Sequence, residues 1–166
     1  GLPKGFSMVP PLKRNNLKLV DFLDPDGYVP KELYLSYEQI EHLKVKHGIP
    51  DFHVKTALCL DIYNKKIKTD GYSITITLPE HNSLRVIEAH DDREVVRKMS
   101  VTEQFRLMGL EGLQGVGRKI DIDFASQSYN QLSKRAGNGW DVNLVTILME
   151  HIFKQLKDID KDLFNY

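Results

Sequence analysis

Two capping boxes frame this chain and limit its possible folds. Ser36-Tyr37-Glu38-Gln39 and Ser100-Val101-Thr102-Glu103 each set a serine three residues before a Gln or Glu. In that pattern the hydroxyl accepts from the N3 amide while the N3 side chain reaches back to the cap amide, so a helix starts after each serine. The first helix carries Tyr37, Ile40 and Leu43 as an apolar stripe, with Leu33 just before it, and stops at Gly48 and Pro50. The second runs to about Met108. Between the two helices, residues 53–88 read as strands. Val54 to Tyr63 is one run, Tyr72 to Leu78 alternates with period two, and Leu84-Arg85-Val86-Ile87 is a third. Asp70-Gly71 and Pro79-Glu80-His81-Asn82 punctuate them. Helix, strands, then helices predicts an α+β fold.

The flanks differ from the centre. Residues 1–35 are rich in turn formers, including Pro25-Asp26-Gly27, and Leu17, Leu19, Val20, Phe22 and Leu23 supply a short anchor. Gly109, Gly112, Gly115 and Gly117 form a glycine-rich loop. A long helix follows Asp141, with Val142, Val145, Met149, Ile152 and Leu156 as a stripe that Leu144, Ile147, Leu148 and Phe153 widen. A helix apolar on most sides is buried on most sides. In a chain of 166 residues that predicts a missing neighbour, and left uncovered the helix would self-associate.

Several functional classes fall away. No apolar run approaches the roughly 20 residues of a membrane helix, and no secretory h-region opens the chain. A cytoplasmic protein is expected. The single Cys59, inside Ala57-Leu58-Cys59-Leu60, excludes an internal disulfide and a cysteine zinc cluster and reads as a small buried hydrophobe. His42 and His47 have poor metal spacing, and His53, His90 and His151 have no partner pattern, so no metal is expected. Gly112 to Lys119 lacks the ending of a phosphate loop. A helix-turn-helix would need a basic recognition helix after Gly48, and none follows. Lys and Arg total 23, equal to Asp and Glu at 23, which argues against a strong autonomous DNA binder but not against a reader held on DNA by a partner.

Two later segments carry more information together than either does alone. Arg97-Lys98-Met99-Ser100-Val101-Thr102-Glu103-Gln104-Phe105-Arg106-Leu107-Met108-Gly109-Leu110 resembles the ninth motif of DNA cytosine-5 methyltransferases, R-x-L-T-x-x-E-x-x-R-L-x-G-F. Starting 34 residues after Arg97, Gln131-Leu132-Ser133-Lys134-Arg135-Ala136-Gly137-Asn138 resembles the tenth, Q-x-Y-K-Q-x-G-N-S-x-x-V. Upstream, Val9-Pro10-Pro11 with Leu17 to Asp24 is similar to the family's F-P-x-P...L-x-D-I-L segment. Val29 to Ser36 is similar to the entry of its target-recognition domain, and Ile76-Thr77-Leu78 to a short element where the backbone nears the target bases. Departures from the pattern are Leu110 for Phe, Ser133 for Tyr, Arg135 for Gln, Gly139 for Ser, Trp140 at an aliphatic position and Asn143 where Pro is frequent.

The resemblance implies a target-recognition domain over residues 1–96. Residues 97–166 would be a ninth- and tenth-motif segment that packs on a catalytic domain or subunit absent from this chain. The intact enzyme would transfer methyl from S-adenosylmethionine to C5 of cytosine in double-stranded DNA, as in restriction-modification systems. This chain alone would be inactive and would not bind the cofactor, since neither the Pro-Cys motif nor the cofactor loop is present. Arg97, Thr102, Glu103 and Arg106 would be structural, Arg97 bracing the recognition domain. Glu103 and Arg106 share a helical face and read otherwise as an ion pair on a capped surface helix. Gly137, Asn138 and Gly139 would border the cofactor pocket, in a turn where the glycines allow close approach and positive φ. Thr77, Leu78, His81, Asn82 and Ser83 would meet bases. Lys65 and Lys66, with Lys68 beside them, would meet phosphates or form a solvated hairpin face. The alternatives are a stand-alone DNA-binding or regulatory module, and an unrelated α+β interaction domain.

Overall fold

The computed structural model describes residues 16–110 and 126–164, apart from Asp26, Pro50, Phe52, Asp91 and Asp92, with side chains in the last helix described through Asp158. The glycine-rich loop beyond Leu110 and the phosphate-loop near miss lie outside the described residues.

The described residues form a mixed α+β structure. Helix α1 (Tyr37–His47) begins as its box requires: Ser36 Oγ accepts from the Gln39 amide at 3.3 Å, and the Ser36 amide donates to Gln39 Oε1 at 2.8 Å. It ends at Gly48, whose φ of 58° is the left-handed cap glycine tolerates. Four antiparallel strands follow, β1 (Leu58–Asp61), β2 (Lys66–Lys68), β3 (Leu84–His90) and β4 (Arg93–Arg97), in spatial order β2-β1-β3-β4.

Both faces of the sheet are covered, and the strand period sorts the residues between them. Leu60, Ile87 and Val96 turn toward α1, where Ile40, Leu43, Leu35 and Ile49 close over them. Cys59, Val86 and Leu84 turn the other way and pack with Leu19 and Met99. Leu19 belongs to a 3-10 turn (Leu19–Phe22), which is the anchor expected from the sequence. Tyr37 does not join the α1 stripe: it is 74% exposed, and Leu35, tied by its amide to the Val96 carbonyl at 2.9 Å, fills that role.

Tyr72 to Leu78 is extended but pairs with no strand. Its alternation does mark one buried side, since Ile76 is buried and Ile74 packs on the Leu19 cluster. Its neighbours are not a ladder, however. The Leu19 amide takes the Gly71 carbonyl at 2.7 Å, Lys68 Nζ takes the Ser73 carbonyl at 3.4 Å, and the Thr77 backbone lies against a helix. Conversely, β4 is a strand that sequence patterning over 53–88 passed by, although Glu94-Val95-Val96 carries the β-branched signal.

Helix α2 (Val101–Leu107) starts at the second box, with Ser100 and Glu103 bonded as predicted. Helix α3 (Tyr129–Asn138) starts at a third box, Ser128 with Gln131. Phe105 of α2 packs on Leu132 and Ala136 of α3. Helix α4 (Val142–Phe164) begins where the Val142 amide meets the Met108 carbonyl at 3.0 Å. Beyond this start Leu144, Ile147, Met149, Phe153 and Leu156 are exposed, as is Trp140 just before it, so its apolar surface lacks a neighbour within the described residues.

A buried ion cluster joins sheet to helix. Arg97, the last residue of β4, is 0% exposed. Its guanidinium forks onto Glu103 at 2.8 Å through both terminal nitrogens and onto Glu88 of β3 through Nε and Nη2. Glu103, also 0% exposed, further accepts the Ser100 and Asp24 amides. Burial works against the Arg97 charge, but hydrogen bonds and charges from Glu103 and Glu88 outweigh it, raising its pKa above the ordinary arginine value. Two carboxylates face one guanidinium, and the α2 N-terminus helps hold the excess negative charge. The surface pair Glu103–Arg106 does not form. Arg106 instead bonds Asp24 at 2.6 Å, and Asp24 accepts from Ser100 Oγ, so a segment far upstream is tied to the start of α2. Thr102 stays half-buried in the first turn of α2.

Arg97→Ala leaves two carboxylates buried without a cation and is expected to lower unfolding stability by about 3–5 kcal/mol. Arg97→Lys, which keeps the charge but loses the fork, should fall between. Urea unfolding measures both, and a loss below about 1 kcal/mol for alanine would remove the cluster from its structural role.

Candidate nucleic-acid interface

The loop from Thr77 to Ser83 is built by local hydrogen bonds. The His81 amide closes a turn onto the Leu78 carbonyl at 2.9 Å. Asn82 Oδ1 accepts the Leu84 amide at 3.0 Å, an Asx turn that launches β3. Ser83 Oγ donates to Asp61 Oδ1 at 3.0 Å, and Asp61 also gathers the amide and side chain of Asn64. One cleft of about 680 Å³ is lined by Thr77, His81, Asn82 and Ser83 together with His47, Ile62, Tyr63, Glu80 and Arg85. Four of the expected base-contacting residues therefore share one cleft. Of these four, Thr77 and His81 are exposed, whereas Ser83 and Asn82 already spend side-chain oxygens on the fold.

Leu78 does not line this cleft, nor do Lys65 and Lys66. Both lysines are exposed at the turn between β1 and β2, where Lys65 takes a φ of 54°. Lys68, the third of that cluster, turns to Asp70 at 3.6 Å and to the Ser73 carbonyl. Sequence reasoning missed Tyr63, His47 and Arg85. The signal for Arg85 was present, as a lone charge inside the apolar run from Leu84 to Ile87.

The tenth-motif match is mainly helix. Gly137 and Asn138 are the last residues of α3, and Gly139 caps it with φ of −75°. Neither Gly137 nor Gly139 has positive φ, so that part of the expected turn is corrected. Close approach is the real reason for Gly137: a Cβ there would lie 2.5 Å from the Thr77 carbonyl oxygen and 2.9 Å from the Leu78 amide nitrogen. Within the two motif matches the glycine with positive φ is Gly109, at 71°, and the Asn143 side chain covers the space its Cβ would take.

The two motif matches touch. Ser133, buried where the family pattern has Tyr, donates to Gln104 Oε1 at 2.7 Å. Gln104 Nε2 and the Tyr129 hydroxyl both reach the Met99 carbonyl, closing a polar network between α2 and α3.

Asn138 and Gly139 are exposed and line a shallow depression with Gln127, Gln131, Lys134 and Arg135. No carboxylate stands in that set to take ribose hydroxyls and no aromatic ring to cover an adenine, so these residues do not fit S-adenosylmethionine by themselves. Cys59 is sealed in the core, and burial pushes its thiol pKa up, away from nucleophilic character. Among the described residues no cluster of His, Cys, Asp and Glu is suited to a metal, and no helix is long and apolar enough to cross a membrane.

Gly137→Ala is expected to destabilise by about 1–3 kcal/mol through overpacking against rigid backbone, and to shift the Thr77 and Leu78 amide resonances. Gly139→Ala meets the mobile tip of Met108 and backbone oxygens no closer than 3.2 Å, so its cost should be clearly smaller. Equal thermal shifts for the two variants would contradict the contact.

Comparison with family models, with curated proteins and with solved structures returns no match.

Proposed function

We propose that this chain is the target-recognition and C-terminal portion of a DNA cytosine-5 methyltransferase whose catalytic half is carried elsewhere. The observation that carries the reading is the meeting of its three motif-like segments. Gln104 of the ninth-motif match bonds Ser133 of the tenth, and Gly137 of the tenth abuts Thr77 and Leu78 of the base-proximal element. Segments separated widely in sequence thus assemble into one unit, as parts of one recognition device would. The Arg97–Glu103 pair agrees with the bracing role that the resemblance assigns to those positions.

A division of labour follows. Attack on cytosine C5 requires a thiolate and a base turned out of the duplex, and the buried Cys59 offers no thiolate. The cleft beside Thr77, His81 and Asn82 would read the duplex, while the apolar surface of α4, with Phe153 at 60% exposure, would pack on the catalytic half. S-adenosylmethionine, bound by that other half, would supply the methyl group. The chain's neutral balance fits a reader that relies on a partner for much of its phosphate binding.

A second reading rests on the sheet, whose two faces are covered by the chain's own elements, as in a module that folds and binds DNA unaided. The two readings separate on complementation. Co-production with catalytic halves of methyltransferases from this family should give a stable heterocomplex and 5-methylcytosine in duplex DNA, measured by mass spectrometry, with neither chain active alone. No complex and no methylation with any of them, alongside saturable salt-dependent duplex binding by this chain alone, would favour the second reading and discard the first.

A further inference from the structure

Arg85 is charged, half-buried and unanswered. It sits in β3 opposite Leu60, on the sheet face otherwise filled by Leu60, Ile87 and Val96. Nη1 is spent on two backbone carbonyls, those of Asn82 at 2.9 Å and Leu84 at 2.7 Å. Nε is buried and has no hydrogen-bond partner, and no ion pair to Arg85 exists among the described residues. Arg97, on the neighbouring strand β4, shows the contrast, since two carboxylates grip it. An arginine keeps its proton in nearly any environment. Here burial pulls the pKa below its ordinary value, a sign that the charge is carried at a cost with no internal counter-ion.

The position of the side chain says which counter-ion would suit. Arg85 lies in the wall between two clefts. The one toward α1 holds two carboxylates, Glu32 and Glu38, with Lys98 and His42 beside them. The other holds a single carboxylate, that of Glu80, with His47, His81, Asn82 and Thr77 as further polar groups. With Nη1 fixed on the turn that launches β3, the guanidinium is held in one orientation in the wall of the second cleft. We propose that Arg85 is the anchor for a phosphodiester of the DNA backbone, received in the cleft beside His81 and Asn82. This rests on the reading of that cleft as the duplex-contacting face. It adds a contact that positions the strand without reading sequence.

The test uses the full chain, labelled with ¹⁵N, and two probes: inorganic phosphate and short duplexes of unrelated sequence. Phosphate should move the Arg85 Nε–Hε resonance saturably, while chloride at matched ionic strength should not. Arg85→Met, which replaces an unpaired charge by an apolar chain of similar length, should fold and should weaken binding of every duplex about tenfold. It should also reduce the log–log salt slope by about 0.9, the share of one phosphate contact. Arg85→Lys keeps the charge, so it should retain the salt slope and lose less affinity, and it carries the test if the Met variant fails to fold. Unchanged affinity and slope in Arg85→Met, with binding weakened by His81→Ala, would sink the inference and leave the reading of the cleft standing. No saturable binding of any duplex by the parent chain at low salt would end the inference and the stand-alone reading together, and would leave the partner-held reading to the complementation experiment.

Discussion

One guanidinium holds the parts of this molecule in register. Arg97 ends the last strand, and its fork closes on Glu88 from the neighbouring strand and Glu103 from the helix that follows. Without that convergence β4 would be an edge strand with a charged residue aimed into the protein. With it, a sheet edge, a helix N-terminus and, through the Asp24 amide and carboxylate, the upstream lead-in are fixed to one point. An ion cluster of this kind is a weak source of net stability, because desolvation opposes it. Its stronger effect is on specificity: only one arrangement of strand, helix and lead-in satisfies every donor and acceptor at once.

That arrangement governs what can reach the candidate interface. With α2 seated by Arg97, α3 packs on it through Phe105, Leu132 and Ala136 and through the Ser133–Gln104 bond. The end of α3 then falls on the Thr77–Leu78 backbone. The cleft beside His81 is thus supported from behind by the same stack that starts in the ion cluster. Helix α4 leaves from that same end of α3, where Gly139 lies against Met108, and carries its apolar residues outward.

How much of this could be read from the sequence follows from the range of each interaction. The starts of α1 and α2 were legible, since a capping box is complete within four residues. The box at Ser128 was equally local, but Gly137 and Gly139 drew the reading toward a turn and hid α3. Alternation from Tyr72 to Leu78 correctly marked a buried side, yet no periodicity names the partner of an extended segment. The reach of Arg97 across to Glu103 lay close at hand in sequence, and a bracing role for Arg97 was an expectation of the resemblance; the link from Arg106 to Asp24 spans 82 residues and left no local trace. At the candidate interface, His81, Asn82 and Ser83 are polar neighbours in one loop and Thr77 belongs to the base-proximal resemblance, which is why four expected residues line one cleft. Tyr63 was missed because the fold, rather than the chain order, brings it there, whereas Arg85 follows Ser83 by two positions and stood hidden in an apolar run.

The fit of Gly137 against Thr77 has a mechanical corollary. Where two backbones meet with no side chain between them there is no soft material to absorb displacement. A shift of α3 that carries Gly137 toward Thr77 therefore meets the peptide itself, and the rim of the cleft is coupled directly to the helix.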